Sequence, residues 1–205
     1  MPIEIEPLRF ESKDDAIKYV IDREITTIDL KFPDLFGRMH HVTIISSEFN
    51  DELFEEGIPF DGSSVPGFKS VEAGDMALIP DIRTAKIDPF WDEPAISFLC
   101  DIVDPGTGKG YPRDPRYVAR KAVEYMKSTG IADTSIWGPE FEFYIFDSIL
   151  YENDVNTAGY IIDSEEAEWN TYKEGPDSLG HKIQPGGGYH AAPPLDHFYN
   201  LRNEM

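Results

Sequence analysis

One ten-residue stretch, Gly138-Pro139-Glu140-Phe141-Glu142-Phe143-Tyr144-Ile145-Phe146-Asp147, restricts the possible folds of this chain more than any other. It sets two carboxylates at alternate positions inside an aromatic run. Side chains of a strand alternate between faces, so the pattern predicts a strand with Glu140, Glu142 and Tyr144 on one face. Phe141, Phe143 and Ile145 then lie on the other, against a core. Like charges side by side on a half-buried sheet repel each other and lose hydration, which requires a compensating cation. Carboxylate oxygens without cysteine or histidine at ligand spacing suit a hard ion, Mg²⁺ or Mn²⁺, better than zinc. An antiparallel sheet with one open face gives the same spacing a plainer meaning, two glutamates in water. Both meanings stand at this point.

At 205 residues, 40% hydrophobic and 13% aromatic, the chain can bury a core and hold one domain or two. No apolar run approaches a bilayer crossing, and Met1-Pro2-Ile3-Glu4-Ile5-Glu6 has neither region of a signal peptide. A cytoplasmic protein without a membrane partner is expected. The formal net charge of −21, with 18 Lys and Arg against 39 Asp and Glu, argues against nucleic acid, which needs clustered cations. A nucleotide substrate would need metal ions or basic groups from elsewhere. The single cysteine, Cys100, sits in the apolar run 95–102 and reads as a buried small hydrophobe.

Taken in order, Ser12 with an acid three positions on predicts a capped helix to about residue 23. Residues 26–32 and 39–45 read as a hairpin with Ile28, Leu30 and Phe32 inward and Phe36 at the loop tip. Residues 46–56 read as a short helix or turn with Phe49, Leu53 and Phe54 on one side. Phe60-Asp61-Gly62-Ser63-Ser64-Val65-Pro66-Gly67-Phe68 gives either an Asx turn, with Asp61 accepting from the backbone after it, or a substrate loop. Residues 76–80 and 95–102 read as strands. The Gly- and Pro-rich stretch 104–112 is the expected linker, and it lacks the ending of a phosphate-binding loop. Asp114-Pro115 starts a helix to about Ser128, closed by Gly130, with Val118, Ala122, Val123 and Met126 as its buried stripe. Residues 147–170 read as irregular, with 163–168 a solvated acidic run. Gly186-Gly187-Gly188 implies a close backbone approach. A helix beginning at Leu195 has no C-cap before Met205, which suggests truncation.

The order of the motifs says more than any one of them. Phe60-Asp61-Gly62-Ser63-Ser64, Asp88-Pro89-Phe90, Asp101 to Pro105, Gly138-Pro139-Glu140-Phe141-Glu142-Phe143, and Gly188-Tyr189 before Pro193-Pro194-Leu195-Asp196 together resemble the amino-terminal part of type I glutamine synthetase over essentially the whole chain. The resemblance implies an ATP-dependent ligase that phosphorylates the γ-carboxylate of glutamate and lets ammonia displace the phosphate. Two divalent ions, Mg²⁺ or Mn²⁺, would stabilise that transfer. By motif match Glu142 would hold the ion near glutamate and ammonia, and Glu140 the ion near the ATP phosphates. Their spacing in a strand puts the Cα atoms ~6–7 Å apart, so both could enter one cavity. Asp61 would attract ammonium and take its proton, with Ser64 lining the same pocket. The family's first domain reaches the catalytic domain of an adjacent subunit in a ring, which implies a homo-oligomer.

The departures matter too. The family's chain is about twice as long, and the remaining metal ligands, much of the nucleotide pocket and the phosphate-binding arginines would lie beyond these residues. Gly186 and His190 differ from the lysine and phenylalanine common there. The expected architecture is α+β: a β-grasp-like domain over 1–105, then an incomplete antiparallel catalytic sheet over 106–205. Exposed apolar surface and an unpaired sheet edge follow, so this chain alone should be inactive, and oligomeric, unstable or aggregation-prone. Two other functions fit the same residues, a glutamate–amine or polyamine ligase of the same superfamily and a non-catalytic assembly or regulatory homologue.

Overall fold

Ser12 opens the first helix, α1 (Lys13–Asp22), through a reciprocal box. Its hydroxyl accepts from the Asp15 N–H at 3.1 Å while the Asp15 carboxylate accepts from the Ser12 N–H at 3.1 Å. Ala16 and Val20, one turn apart, are buried. The computed structural model describes residues 8–89, 91–170 and 182–205. The N-terminal residues 1–6 and Phe90, both used above, lie outside the described residues.

The chain then forms β1 (Thr27–Pro33) and β2 (Met39–Ile45), an antiparallel hairpin that buries Ile28, Leu30 and Phe32. Its turn is held by Asp34, almost fully buried, whose Oδ1 accepts from the N–H groups of Phe36 at 2.8 Å and Arg38 at 2.9 Å. Phe36 stands exposed at the tip. A short helix, α2 (Asp51–Glu55), is capped by the Asn50 side chain and buries Leu53. Four further strands follow: β3 (Ile58–Asp61), β4 (Asp75–Pro80), β5 (Lys86–Ile87) and β6 (Ala95–Val103). The sheet runs β2-β1-β6-β4-β3, with β5 also on β6. Among the described strands of this sheet, only β1 and β6 pair in parallel. A central strand is covered on both faces, and β6 accordingly buries Ile96, Ser97 and Phe98 in succession, then Cys100 and Ile102, with Leu99 and Asp101 half-buried between them. One core joins α1 and α2 to this sheet, with the Phe49 and Phe98 rings stacked at 5.1 Å. The α+β, β-grasp-type expectation is met.

The Gly- and Pro-rich stretch after β6 is folded rather than loose. Tyr111 donates its N–H to Ile102 O at 2.8 Å and its buried hydroxyl to Phe68 O at 2.5 Å. The helix α3 (Pro115–Ser128) begins at an Asp114 cap and ends before Gly130, whose φ of +69° suits a residue without Cβ. Its expected buried stripe is not buried: Val118 and Val123 are 47% and 40% exposed, and no residue of α3 is buried. The helix is anchored instead by arginines of its first turns, which ion-pair with β6 and the residue after β4.

Contacts divide the chain into two compact units, residues 1–136 and 137–205. In the second, 138–146 is not a strand. The described residues offer it no pairing partner, and Phe141 and Tyr144 are each 86% exposed. Residue alternation suits a pleated surface, but a strand also needs a ladder and a cover. The span 147–170, expected to be irregular, contains an antiparallel hairpin, β7 (Ser148–Asn153) with β8 (Ala158–Asp163). Nor is 163–168 fully solvated, since Ser164 to Ala167 are half-buried. The Gly186 backbone has a φ of +76° and sits in a turn. A short helix, α4 (Tyr199–Glu204), follows.

Candidate functional site

Asp61 ends β3, opposite Asp75 of β4, and caps the single helical turn Gly62–Ser64. Its Oδ1 accepts from the Ser63 N–H at 2.8 Å and its Oδ2 from the Ser64 hydroxyl at 2.7 Å. The Asx turn is therefore formed, with Ser64 as its second clamp. Two glycines make room for it. A Cβ on buried Gly62 would fall 2.1 Å from Met76 Sδ, and one on Gly74 would fall 2.5 Å from Asp61 Oδ1. Gly62 also donates its N–H to Gly74 O at 2.7 Å, tying the two sides together. Hydrogen bonds from Ser63 and Ser64 hold the Asp61 carboxyl below the usual carboxylate range. The result is an exposed, ionised carboxylate in one rotamer with lone pairs still available, able to attract a cation or accept a proton.

Glu140 and Glu142 belong to the other unit, in the unpaired run, and both are exposed. Glu142 lines a cavity of about 590 Å³ with Phe143, Trp169, Phe198, Glu166 and Arg202. Glu140 is not among the residues lining it. Burial pushes the Glu166 carboxyl up, while His197 and Arg202 pull it the other way. Arg202 grips Asp196 with both terminal nitrogens, at 2.7 and 2.5 Å. Glu166 and Arg202 were not singled out from sequence, because they stand far apart in the chain and no spacing rule joins them.

Two carboxylates supply the oxygen chemistry of Mg²⁺ or Mn²⁺, but alone they leave most of such an ion's shell to water. Among the described residues, no group of three or more His, Cys, Asp or Glu side chains converges as a metal site would. The described residues do not by themselves make a metal centre, and no chemical step follows from one here.

Residues 24–105 match the family model described as the glutamine synthetase β-grasp domain, and residues 112–205 the one described as the glutamine synthetase catalytic domain. A glutamine synthetase from Methylococcus capsulatus (strain Bath) is 46% identical over 192 residues, 93% of this chain and 41% of the relative. A protein named 3-hydroxylaminophenol mutase from Cupriavidus pinatubonensis is 44% identical over 196 residues, 95% of this chain and 42% of that relative. The cryo-EM structure of Plasmodium falciparum glutamine synthetase shares the fold, with a TM-score of 0.76 at 20% identity over 98% of this chain and 41% of that one. The chain thus spans about two fifths of the length of the relatives it matches. Relatives named for different reactions share the same degree of identity, so identity over this span does not choose the reaction.

Proposed function

We propose, on the premise that the chain belongs to the glutamine synthetase family, that it forms the amino-terminal part of an ATP-dependent glutamate–ammonia ligase and is inactive by itself. The observation that carries this reading is Asp61: an ionised, exposed carboxylate fixed by Ser63 and Ser64, the arrangement an ammonium subsite needs. In the reaction, the glutamate γ-carboxylate takes the terminal phosphoryl group of ATP, giving ADP and an acyl phosphate. The nitrogen lone pair of ammonia then forms the C–N bond while the C–O bond to phosphate breaks, and the departing phosphate takes the proton that the nitrogen sheds to become the amide. Asp61 attracts NH₄⁺ by charge and receives the proton that frees the lone pair, and Ser64 holds the carboxylate oriented for that transfer.

Residues 1–105 serve as the domain carrying this loop and 106–205 as the start of the catalytic domain. Glu140 and Glu142 contribute two members of a larger donor set for Mg²⁺ or Mn²⁺. That set, the nucleotide pocket and the glutamate subsite need residues from the rest of a longer chain. A cytoplasmic homo-oligomeric ring, in which Asp61 of one copy serves the catalytic domain of the next, completes the reading.

The test is glutamine formation from glutamate, ammonia, ATP and Mg²⁺ by this chain and by a version extended along its natural reading frame. The extended protein should turn over and the 205-residue chain should not. In the extended protein Asp61→Asn should lower kcat/KM for ammonia by about a hundredfold. An extended protein that makes no glutamine, or one whose ammonia kinetics ignore Asp61→Asn, overturns the reading. Turnover with an alkylamine in preference to ammonia would favour the amine ligase instead.

A further inference from the structure

In a chain of net charge −21, four of the 18 basic residues line one open groove of about 430 Å³: Arg83, Arg116, Arg120 and Lys127. They come from the turn after β4 and from α3, all within the first unit. Three guanidiniums there share two carboxylates in an alternating ladder. Asp81 accepts from Arg83 at 2.8 Å and from Arg116 at 2.6 Å. Asp101 accepts from Arg116 at 3.0 Å and also pairs with Arg120. The ladder therefore keeps one positive charge in excess, and Lys127 adds another, against the single acid in the groove lining, Glu124.

The hydrogen bonds leave donors over. Each guanidinium has five N–H groups, and the ladder engages two on Arg116. The side chain of Asp81 is 8% exposed, whereas Arg83 is 77% and Arg120 47% exposed. Asp81 is thus a nearly buried strut and Asp101, 21% exposed, a half-buried one, and the guanidiniums they hold line the groove. Pre-ordered planar forks bind planar or tetrahedral oxyanions with little further loss of side-chain freedom. An ion-pair ladder whose only task was to fasten α3 to the sheet would need neither the third guanidinium, exposed Arg83, nor Lys127.

We propose that this groove is an anion site for a phosphoryl group, carried by free phosphate or by a small phosphorylated metabolite. Its lining includes neither Asp61 nor any residue of the Glu142 cavity, and it does not depend on the ligase reading.

The experiment is a titration of the 205-residue chain with inorganic phosphate at constant ionic strength, followed by the Arg side-chain Nε–H and α3 amide NMR signals. Chloride serves as the salt control. Saturable shifts confined to Arg83, Arg116, Arg120 and the α3 backbone are expected with phosphate and not with chloride. Arg83→Ala with Lys127→Ala should weaken binding at least tenfold. A charge-matched pair away from the groove, Lys18→Ala with Lys109→Ala, should leave it unchanged. Both pairs alter exposed side chains and leave Asp81 and Asp101 in place. A phosphorylated metabolite such as a nucleoside monophosphate, binding tighter than phosphate with the same shift pattern, supports the site and names its source. Shifts of equal size on every arginine Nε–H, or equal weakening by the two pairs, would show diffuse charge attraction and overturn the site. Tighter binding by poly-glutamate, displacing phosphate, would replace it with a surface for an acidic chain segment.

Discussion

Asp81 shows how one side chain can couple acid stability to the placement of a helix. Hydrogen bonds from Arg83, with help from the Arg116 charge, hold its carboxyl at about 2 against an ordinary 3.8. The folded form therefore releases this proton more readily than the unfolded one. The stability it contributes is complete above the ordinary carboxylate value and is lost as pH falls through the depressed one. Urea unfolding between pH 5 and 2 should show wild-type stability dropping across that window. Asp81→Asn should be less stable at neutral pH by about 2 kcal/mol, the range for hydrogen bonds to charged groups. Its stability curve should also be flatter below pH 4. A variant as stable as wild type with an unchanged acid slope would remove Asp81 from this role. Neighbours in sequence explain which residues could be read in advance. The Ser12 box, the Asp61 turn and buried Cys100 rest on contacts within a few positions or on a local apolar run. The Asp81–Arg116–Asp101 ladder joins three distant segments, and no spacing rule announces it.

Elements followed the same division. The β1–β2 hairpin and both ends of α3 were legible, because turn residues, caps and apolar period act locally. The run 138–146 was legible as a strand by pattern, yet among the described residues it has no neighbour to complete its ladder. The β7–β8 hairpin was missed since its connection, Asp154-Val155-Asn156-Thr157, carries no glycine, although Ile149, Leu150 and Tyr151 on one side and Tyr160, Ile161 and Ile162 on the other are strand formers. These facts fix an expectation for hydrogen exchange. In the 205-residue chain the amides of Phe141, Phe143 and Ile145 should exchange at the rate of unstructured peptide. In the extended protein, where further strands could pair with them, protection should rise by about a hundredfold or more. Strong protection already present in the short chain would mean that the run has found a partner in another copy, through the edge pairing that exposed strands invite.

For the molecule as a whole, the division at residues 136 and 137 predicts where a protease enters. Residues 131–146 carry no helix or strand and expose Ile131, Ile136 and Phe141. Limited chymotryptic digestion should cut there first and leave an N-terminal fragment that unfolds cooperatively, as its single core implies. Early cuts between β1 and β6 would contradict that autonomy. The parallel pairing inside this unit has a consequence for synthesis. Thr27 faces Ala95, and β6 is the strand that separates β1 from β4. During translation β1 and β2 leave the ribosome while the strand that must lie beside them has not yet been made. Their apolar face, Ile28, Leu30 and Phe32, has to wait on the nascent chain until Val103 has emerged. Among the described strands the first to be synthesised is thus among the last to acquire both of its neighbours.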